Sequence, residues 1–251
     1  MSAGETPLLE LRGISKRFGR VVVAESLSLT VAAGDAVGVV GPNGAGKSTL
    51  FSVISGDLAP NAGEVIFEGR AVTRLGPAER CRAGIGRTYQ VPRSFPHMTV
   101  FENVLVAAGR GAGLGRHDAR EQAVEVLEQT GLRELANRPA SRLGLLPRKR
   151  LELARAMATR PRLLMLDEVA AGLTDPEVGE LIEIVRGVRA AGVSVIWVEH
   201  VVRALVGVVE RLICLAGGHF IGDGPPERVL ADPRVKEVFL GTGYGVGAAG
   251  G

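Results

Sequence analysis

Short apolar or alternating stretches dominate the first seventy residues. Residues 8–14, 21–31 and 65–67 are bounded by Gly, Asn or Asp and predict strands. Residues 35–40 are a short apolar run that ends in a glycine-rich turn. Residues 47–54 then read as a helix that stops at Ser55 and Gly56. The middle of the chain changes period. Asp118, with Glu121 three residues on, predicts a helix cap. Ala123, Val124, Leu127 and Thr130 form one face before Gly131 ends that helix. A second helix is predicted over 148–159, aligning Leu151, Ala154 and Ala158 ahead of Pro161. Residues 109–115 read as a glycine-rich connection, and no strand pattern of any length occurs between about 91 and 162.

The last third alternates. Residues 163–166 predict a buried strand. Asp175 and Pro176 open a helix with Val178, Leu181, Ile182, Val185 and Val188 on one face and Gly192 at its close. A strand over 193–198, a helix over 201–209 and a strand over 212–215 follow, and Gly217-Gly218 reads as a hairpin turn. This alternation predicts an α/β fold with a parallel sheet covered by helices, into which the helical stretch 91–160 is inserted. No internal repeat at a fixed period is present.

Composition narrows the classes. A chain of 251 residues is one large domain or two small ones and can bury a core without metals or disulfides. Apolar residues at 46% and charged residues at 23% exclude wholesale disorder. The 35 glycines, about twice the usual share, are scattered without a collagen period. Two distant cysteines, Cys81 and Cys214, argue against a disulfide framework or a cysteine zinc site and fit a reducing compartment. No apolar run approaches the roughly 20 residues of a membrane helix. Residues 1–7 lack the basic and apolar regions of a secretory signal. Function at a membrane would therefore mean docking on a partner that spans it. The net charge is +3, with seven cations between Arg142 and Arg162 against the single acid Glu152. That stretch could face phosphates, lipid headgroups or an acidic partner, or be a solvated helix face.

The strongest chemical signal is Gly41-Pro42-Asn43-Gly44-Ala45-Gly46-Lys47-Ser48-Thr49, which fits G-x-x-x-x-G-K-[ST], the P-loop. Glycines let successive N–H groups turn inward onto phosphate oxygens, and the helix that starts near Lys47 adds its positive end. Lys47 can reach β- and γ-phosphates, and the Ser48 hydroxyl can ligate Mg²⁺. Lys47 is one of only four lysines, and a predicted strand and helix flank the loop as the mechanism requires. The second signal is Leu163-Leu164-Met165-Leu166-Asp167-Glu168. Acids at the carboxyl end of a buried strand lie where a P-loop ligand binds; Asp167 suits Mg²⁺ and Glu168 suits a general base. Gln90 stands at the junction with the helical insert, and His200 directly follows the strand over 193–198. Both are placed to sense a γ-phosphate or to be ordinary surface groups. His97, His117 and His219 have no such placement and read as structural or exposed.

In this order and at these separations, the P-loop, Gln90, Asp167-Glu168 and His200 resemble the ATP-binding subunit of an ABC transporter over nearly the whole chain. Residues 85–90, 95–104 and 167–173 resemble more narrowly the ATP-binding subunits of branched-chain amino acid importers. The resemblance implies a P-loop NTPase fold: a RecA-like core, an N-terminal antiparallel β-subdomain and an inserted helical subdomain. As one ABC ATPase domain over 1–251, the chain would divide into β-subdomain and P-loop part of the core (8–90), helical subdomain (91–160), and the remaining core with a C-terminal segment (161–251). It implies ATP and Mg²⁺ as ligands, Phe18 stacked on adenine, Gln90 at Mg²⁺ or water, Glu168 as base and His200 at the γ-phosphate. It also implies transmembrane permease subunits, a second ATP-binding subunit (the same chain or a paralogue) and a solute-binding protein as partners. The location implied is peripheral, on the cytoplasmic face of the plasma membrane, with no nucleic acid.

One motif departs from that pattern. Such subunits carry Leu-Ser-Gly-Gly-Gln where this chain has Leu143-Gly144-Leu145-Leu146-Pro147. Gly144 stands in place of a Ser hydroxyl that reaches the opposite subunit's γ-phosphate, and Leu146 in place of a Gly. The residues Ala171-Gly172-Leu173-Thr174 likewise lack the usual final Asp. Two further readings follow: a low-turnover regulatory subunit, motivated by the altered motif, and a nucleic-acid-associated ABC ATPase, motivated only by the basic stretch.

Overall fold

The computed structural model describes residues 6–240; the first five residues, on which the no-signal expectation partly rests, and 241–251 lie outside it. The chain runs β1 (Leu9–Phe18), β2 (Val21–Val31), β3 (Ala36–Val40), α1 (Lys47–Ser55), β4 (Ala62–Phe67), β5 (Arg70–Ala71), α2 (Pro77–Arg82) and β6 (Ile85–Arg87). A helical stretch follows: α3 (Val100–Val106), α4 (Arg116–Gln129) and α5 (Leu145–Ala158). The return alternates as β7 (Leu163–Asp167), α6 (Asp175–Ala190), β8 (Ser194–Val198), α7 (Val202–Val206) and β9 (Arg211–Ala216). It closes with β10 (His219–Gly224), α8 (Pro226–Ala231) and α9 (Pro233–Leu240).

Two sheets form. The smaller is antiparallel in the order β2-β1-β4-β5. The larger has the order β10-β9-β3-β8-β7-β6, parallel except for the β9–β10 hairpin at its edge. The strands β3, β7 and β8 are buried at every position, because their two faces serve two cores. Val37, Val39, Met165 and Ile196 pack toward α1 and the antiparallel sheet, with Phe51, Leu11 and Val65. Leu164, Leu166, Val195 and Trp197 pack toward the helices, with Leu151, Leu181 and Val185. Each fully buried side chain of this kind contributes roughly 1.5–3 kcal/mol.

The sequence patterns placed most elements but misjudged several boundaries. Helix α5 starts at Leu145, not 148. Gly144 is its N-cap in extended backbone, and Pro147 falls at the third helical position, where its missing N–H breaks no helical bond. Helix α4 begins at Arg116 after Gly115, so Asp118 is a first-turn acid rather than the cap. Its inward face takes Val126, while Val124 is exposed. Thr174, not Asp175, caps α6, through reciprocal bonds with Glu177. The expected glycine connection instead continues α3 as a π-helical turn, Ala107–Gly111. Its small residues allow that: a Cβ on Gly111 would lie 2.5 Å from Thr159 Cγ2. The short strand β6 and the terminal helices α8 and α9 carried no recognised pattern.

Candidate functional site

The loop over 41–46 joins the end of β3 to the start of α1. Its glycines are enforced by close backbone approach. A Cβ at Gly41 would lie 2.0 Å from the Leu215 carbonyl oxygen, and one at Gly46, where φ is +101°, 2.3 Å from that of Val23. Gly44 faces open space, with nothing within 4 Å of its would-be Cβ. Asn43 and Ser48 are exposed, Ala45 is buried and Thr49 is half-buried. Lys47 is buried, and its ammonium donates to the carbonyls of Gly41 (2.7 Å) and Pro42 (2.9 Å), arching over the loop. Burial pulls its pKa below the ordinary lysine value, while Glu168 and Asp167 oppose that shift. The loop lysine and the two acids therefore share one electrostatic site.

Register explains why. Val39 of β3 pairs with Val198 of β8, and Val198 pairs with Asp167 of β7. The carboxyl ends of three adjacent parallel strands thus finish at one level, and the residues that follow them converge. Asp167 is buried. Its Oδ2 accepts from Arg87 at 2.9 Å and its N–H donates to Thr88 Oγ1 at 3.0 Å. Burial raises the Asp167 pKa and the Arg87 guanidinium holds it down. Its other carboxylate oxygen, Oδ1, is buried with no hydrogen-bond partner among the described residues. An orphaned carboxylate oxygen suits a hard divalent cation, and the exposed Ser48 hydroxyl at the start of α1 is a second hard oxygen donor.

Glu168 sits between the two polar residues singled out in the sequence. Gln90 Nε2 donates to Glu168 Oε2 at 2.6 Å, and His200 Nε2 lies 2.7 Å from Oε1. Three chain segments, after β6, β7 and β8, meet on one carboxylate. Phe18 ends β1 half exposed, with the Lys16 ammonium 5.3 Å from its ring centroid. His97, His117 and His219 are exposed, away from this cluster.

Sequence reasoning missed three supporting residues. Arg87 was only part of a quoted motif, and nothing in a three-residue strand announces an ion pair. Glu199 is buried, with Oε1 accepting from Ala170 N (2.7 Å) and Trp197 Nε1 (3.2 Å). Lys149 had been counted in the basic stretch but is buried, donating to the Glu168 carbonyl at 3.1 Å. Most of that stretch is likewise engaged within the chain. Arg150 pairs with Glu180, Arg155 with Glu152, Arg160 with Gln122 and Arg162 with Glu68. The cations brace helices and do not form a free basic face.

A mostly parallel sheet with a P-loop at its carboxyl edge and a buried acid at the end of β7, one strand beyond the P-loop strand's neighbour β8, defines a P-loop ATPase. The family model described as "ABC transporter" matches residues 24–171. The chain is 36% identical to the high-affinity branched-chain amino acid transport ATP-binding protein BraF of Pseudomonas aeruginosa, across 94% of this chain and 98% of that protein. It is 35% identical to the corresponding protein LivG of Escherichia coli K12, with the same coverage. It is also 35% identical to the lipopolysaccharide export system ATP-binding protein LptB of Acidithiobacillus ferridurans, again across 94% and 98%. Among solved structures, the ADP conformation of an ATP-binding cassette of an ABC transporter superposes with a TM-score of 0.85 at 30% identity, covering 94% of this chain and all of that one. The chain belongs to the ATP-binding cassette family of ABC transporters. Among the described residues, no helix is long and apolar enough to cross a membrane.

Proposed function

We propose that this chain is the ATP-hydrolysing, peripheral subunit of an importer for branched-chain or other amino acids. In this reading it works at the cytoplasmic face of the plasma membrane, docked on transmembrane permease subunits through the helical subdomain at 91–160. A second ATP-binding subunit and a solute-binding protein would complete the system. The observation that carries the chemistry is the Glu168 carboxylate, held between Gln90 and His200 beside Asp167. The amino acid assignment is supported by near-complete overlap with proteins named for branched-chain transport. The equal identity to a lipopolysaccharide export protein means that the solute and direction rest on that overlap and on the resemblance of residues 85–90, 95–104 and 167–173.

In the mechanism, the 41–46 loop and the first turn of α1 bind the phosphates through backbone N–H groups, and Lys47 turns from the loop carbonyls to the β- and γ-phosphates. Phe18 stacks on the adenine. Ser48, Asp167 and Gln90 would hold Mg²⁺, which when bound neutralises charge on the phosphates. Glu168 takes a proton from the attacking water as general base, and His200 orients the carboxylate and contacts the γ-phosphate. Gln90 links that base to the segment leading into the helical subdomain. The test is amino acid uptake in cells lacking this chain. Loss of leucine, isoleucine and valine uptake is expected, restored by the wild-type chain and not by Glu168→Gln. Unchanged uptake of all three would overturn the solute assignment.

A second reading has one specific observation behind it. Where the family's signature offers a Ser and a Gly, this chain caps α5 with Gly144 and exposes Leu145 beside Leu146. A subunit with this face would turn over slowly by itself and hydrolyse ATP in a heterodimer.

A further inference from the structure

Glu168 has a backbone φ of +49°, the left-handed region that side-chain-bearing residues rarely adopt. Such a conformation persists only where surrounding contacts over-determine it. Here the contacts come from three directions. The Glu168 N–H donates to the Val198 carbonyl at 3.0 Å. The Glu168 carbonyl accepts from Lys149 Nζ at 3.1 Å. Two residues on, the Ala170 N–H donates to Glu199 Oε1 at 2.7 Å. The first is an ordinary strand-end bond. The other two use charged side chains that are 6% and 1% exposed.

Burying an ammonium is costly without a specific return, and a lysine interior to a helix has no structural need to sit there. Lys149 lies on α5, the element that precedes β7 in the chain, and reaches back to the peptide that sets the Glu168 side chain's direction. Burial pulls the Lys149 pKa down, while Glu199, Glu168, Asp167 and Glu152 hold it up. The bond to the Glu168 carbonyl gives the buried ammonium its partner.

We propose that Lys149, with Glu199, is a positioning residue for hydrolysis: it clamps the main chain of Glu168–Ala170 in its strained conformation, so that the Glu168 carboxylate stays aimed between Gln90 and His200. Lys149 touches neither nucleotide nor water in this role. The inference rests on the reading of Glu168 as the general base.

The test is steady-state ATP hydrolysis by the full chain carrying Lys149→Met, Glu168→Gln, or both. Lys149→Met should lower kcat by roughly 10- to 100-fold, the effect of misplacing a catalytic group by about an ångström, with the KM for ATP unchanged. In the Glu168→Gln background the same substitution should change nothing further, because the group it positions is gone. Lys149→Arg, which keeps a buried cationic donor, should retain most of kcat. An unaltered kcat in Lys149→Met, or the same fold-loss in both backgrounds, would overturn the proposal. If Lys149→Met does not fold, Lys149→Arg against Lys149→Gln decides, and equal kcat in that pair overturns it. Wild-type turnover in Glu168→Gln alone would instead sink the base assignment, a distinct result.

Discussion

Arg87 and Asp167 form an ion pair between neighbouring parallel strands, guanidinium to carboxylate at 2.9 Å, with side chains 7% and 3% exposed. The same guanidinium reaches Asp57 at 3.0 Å, so one arginine ties the β7 acid to the end of α1. Asp167 is the acid proposed above as a Mg²⁺ ligand, and burial alone would push it toward neutrality.

Arg87→Met should therefore destabilise the protein by about 3–5 kcal/mol at neutral pH, the cost of leaving a buried charge unpaired. At roughly 2–4 °C per kcal/mol for a chain of this size, a loss of about 6–20 °C in Tm is expected. The sign with pH follows from the direction of the shift. A carboxyl whose folded pKa is raised above its unfolded value binds extra protons when folded, so its penalty is absent at low pH and grows as pH rises through that interval. Without Arg87 the Asp167 pKa rises further and the penalty widens. The Tm deficit should shrink between pH 7.5 and pH 5; thermal melts showing a constant or growing deficit would contradict this account.

Lys47→Ala should remove nucleotide binding while leaving the fold intact. Lys47, the first residue of α1, is a buried cation that arches over the 41–46 loop, and a charge-assisted bond to phosphate contributes about 1.5–3 kcal/mol, so affinity should fall at least roughly 10- to 100-fold. Titration with a fluorescent ATP analogue measures it, and unchanged affinity would remove the P-loop assignment.

The parts legible in the sequence were those where one residue type is forced. Gly41 and Gly46 cannot carry a Cβ against neighbouring carbonyls, so the loop declares itself. The runs 36–40, 163–166 and 195–198 carry no polar side chain because both sheet faces are covered, and acids at their ends stand out. What escaped was set by tertiary proximity. Arg87 and Lys149 are ordinary cations until the fold brings Asp167 and the Glu168 carbonyl to them. The α5 start was placed three residues late, at 148, because Gly144 and Pro147 carry no helix-forming signal in the sequence. In position they are a cap and a tolerated first-turn proline.

Glu168→Gln should bind ATP normally and hydrolyse it about 10²–10⁴ times more slowly, the usual contribution of a positioned base. The amide preserves the shape between Gln90 and His200 but cannot take a proton. Single-turnover hydrolysis of labelled ATP gives the rate directly. A rate near wild type would move the base elsewhere, and His200 would be the next residue to substitute.

The last expectation concerns the start of α5. By family resemblance, each composite site pairs one subunit's P-loop with the other's signature. A dimer of this chain alone would then present Gly144 and Leu146 at both sites, with no hydroxyl for the γ-phosphate. Loss of one hydrogen bond to a charged group costs about 1.5–3 kcal/mol, roughly 10- to 100-fold in the affected step. The chain alone should therefore hydrolyse ATP slowly, and a second ATP-binding subunit with a standard signature should raise the rate. The fold permits a direct repair. Gly144 has a φ of −66°, and a Cβ there would come no closer than 4.0 Å to Pro147 Cδ, so a serine fits without strain. As an N-cap it would also stabilise α5 by a few tenths of a kcal/mol. Gly144→Ser combined with Leu146→Gly should thus raise the turnover of the chain alone by about tenfold, in line with recovering that one bond. If the unmodified chain already turns over fast and cooperatively, or the double substitution slows it, residues 143–147 are a working signature in their own right and the case for a different partner subunit disappears.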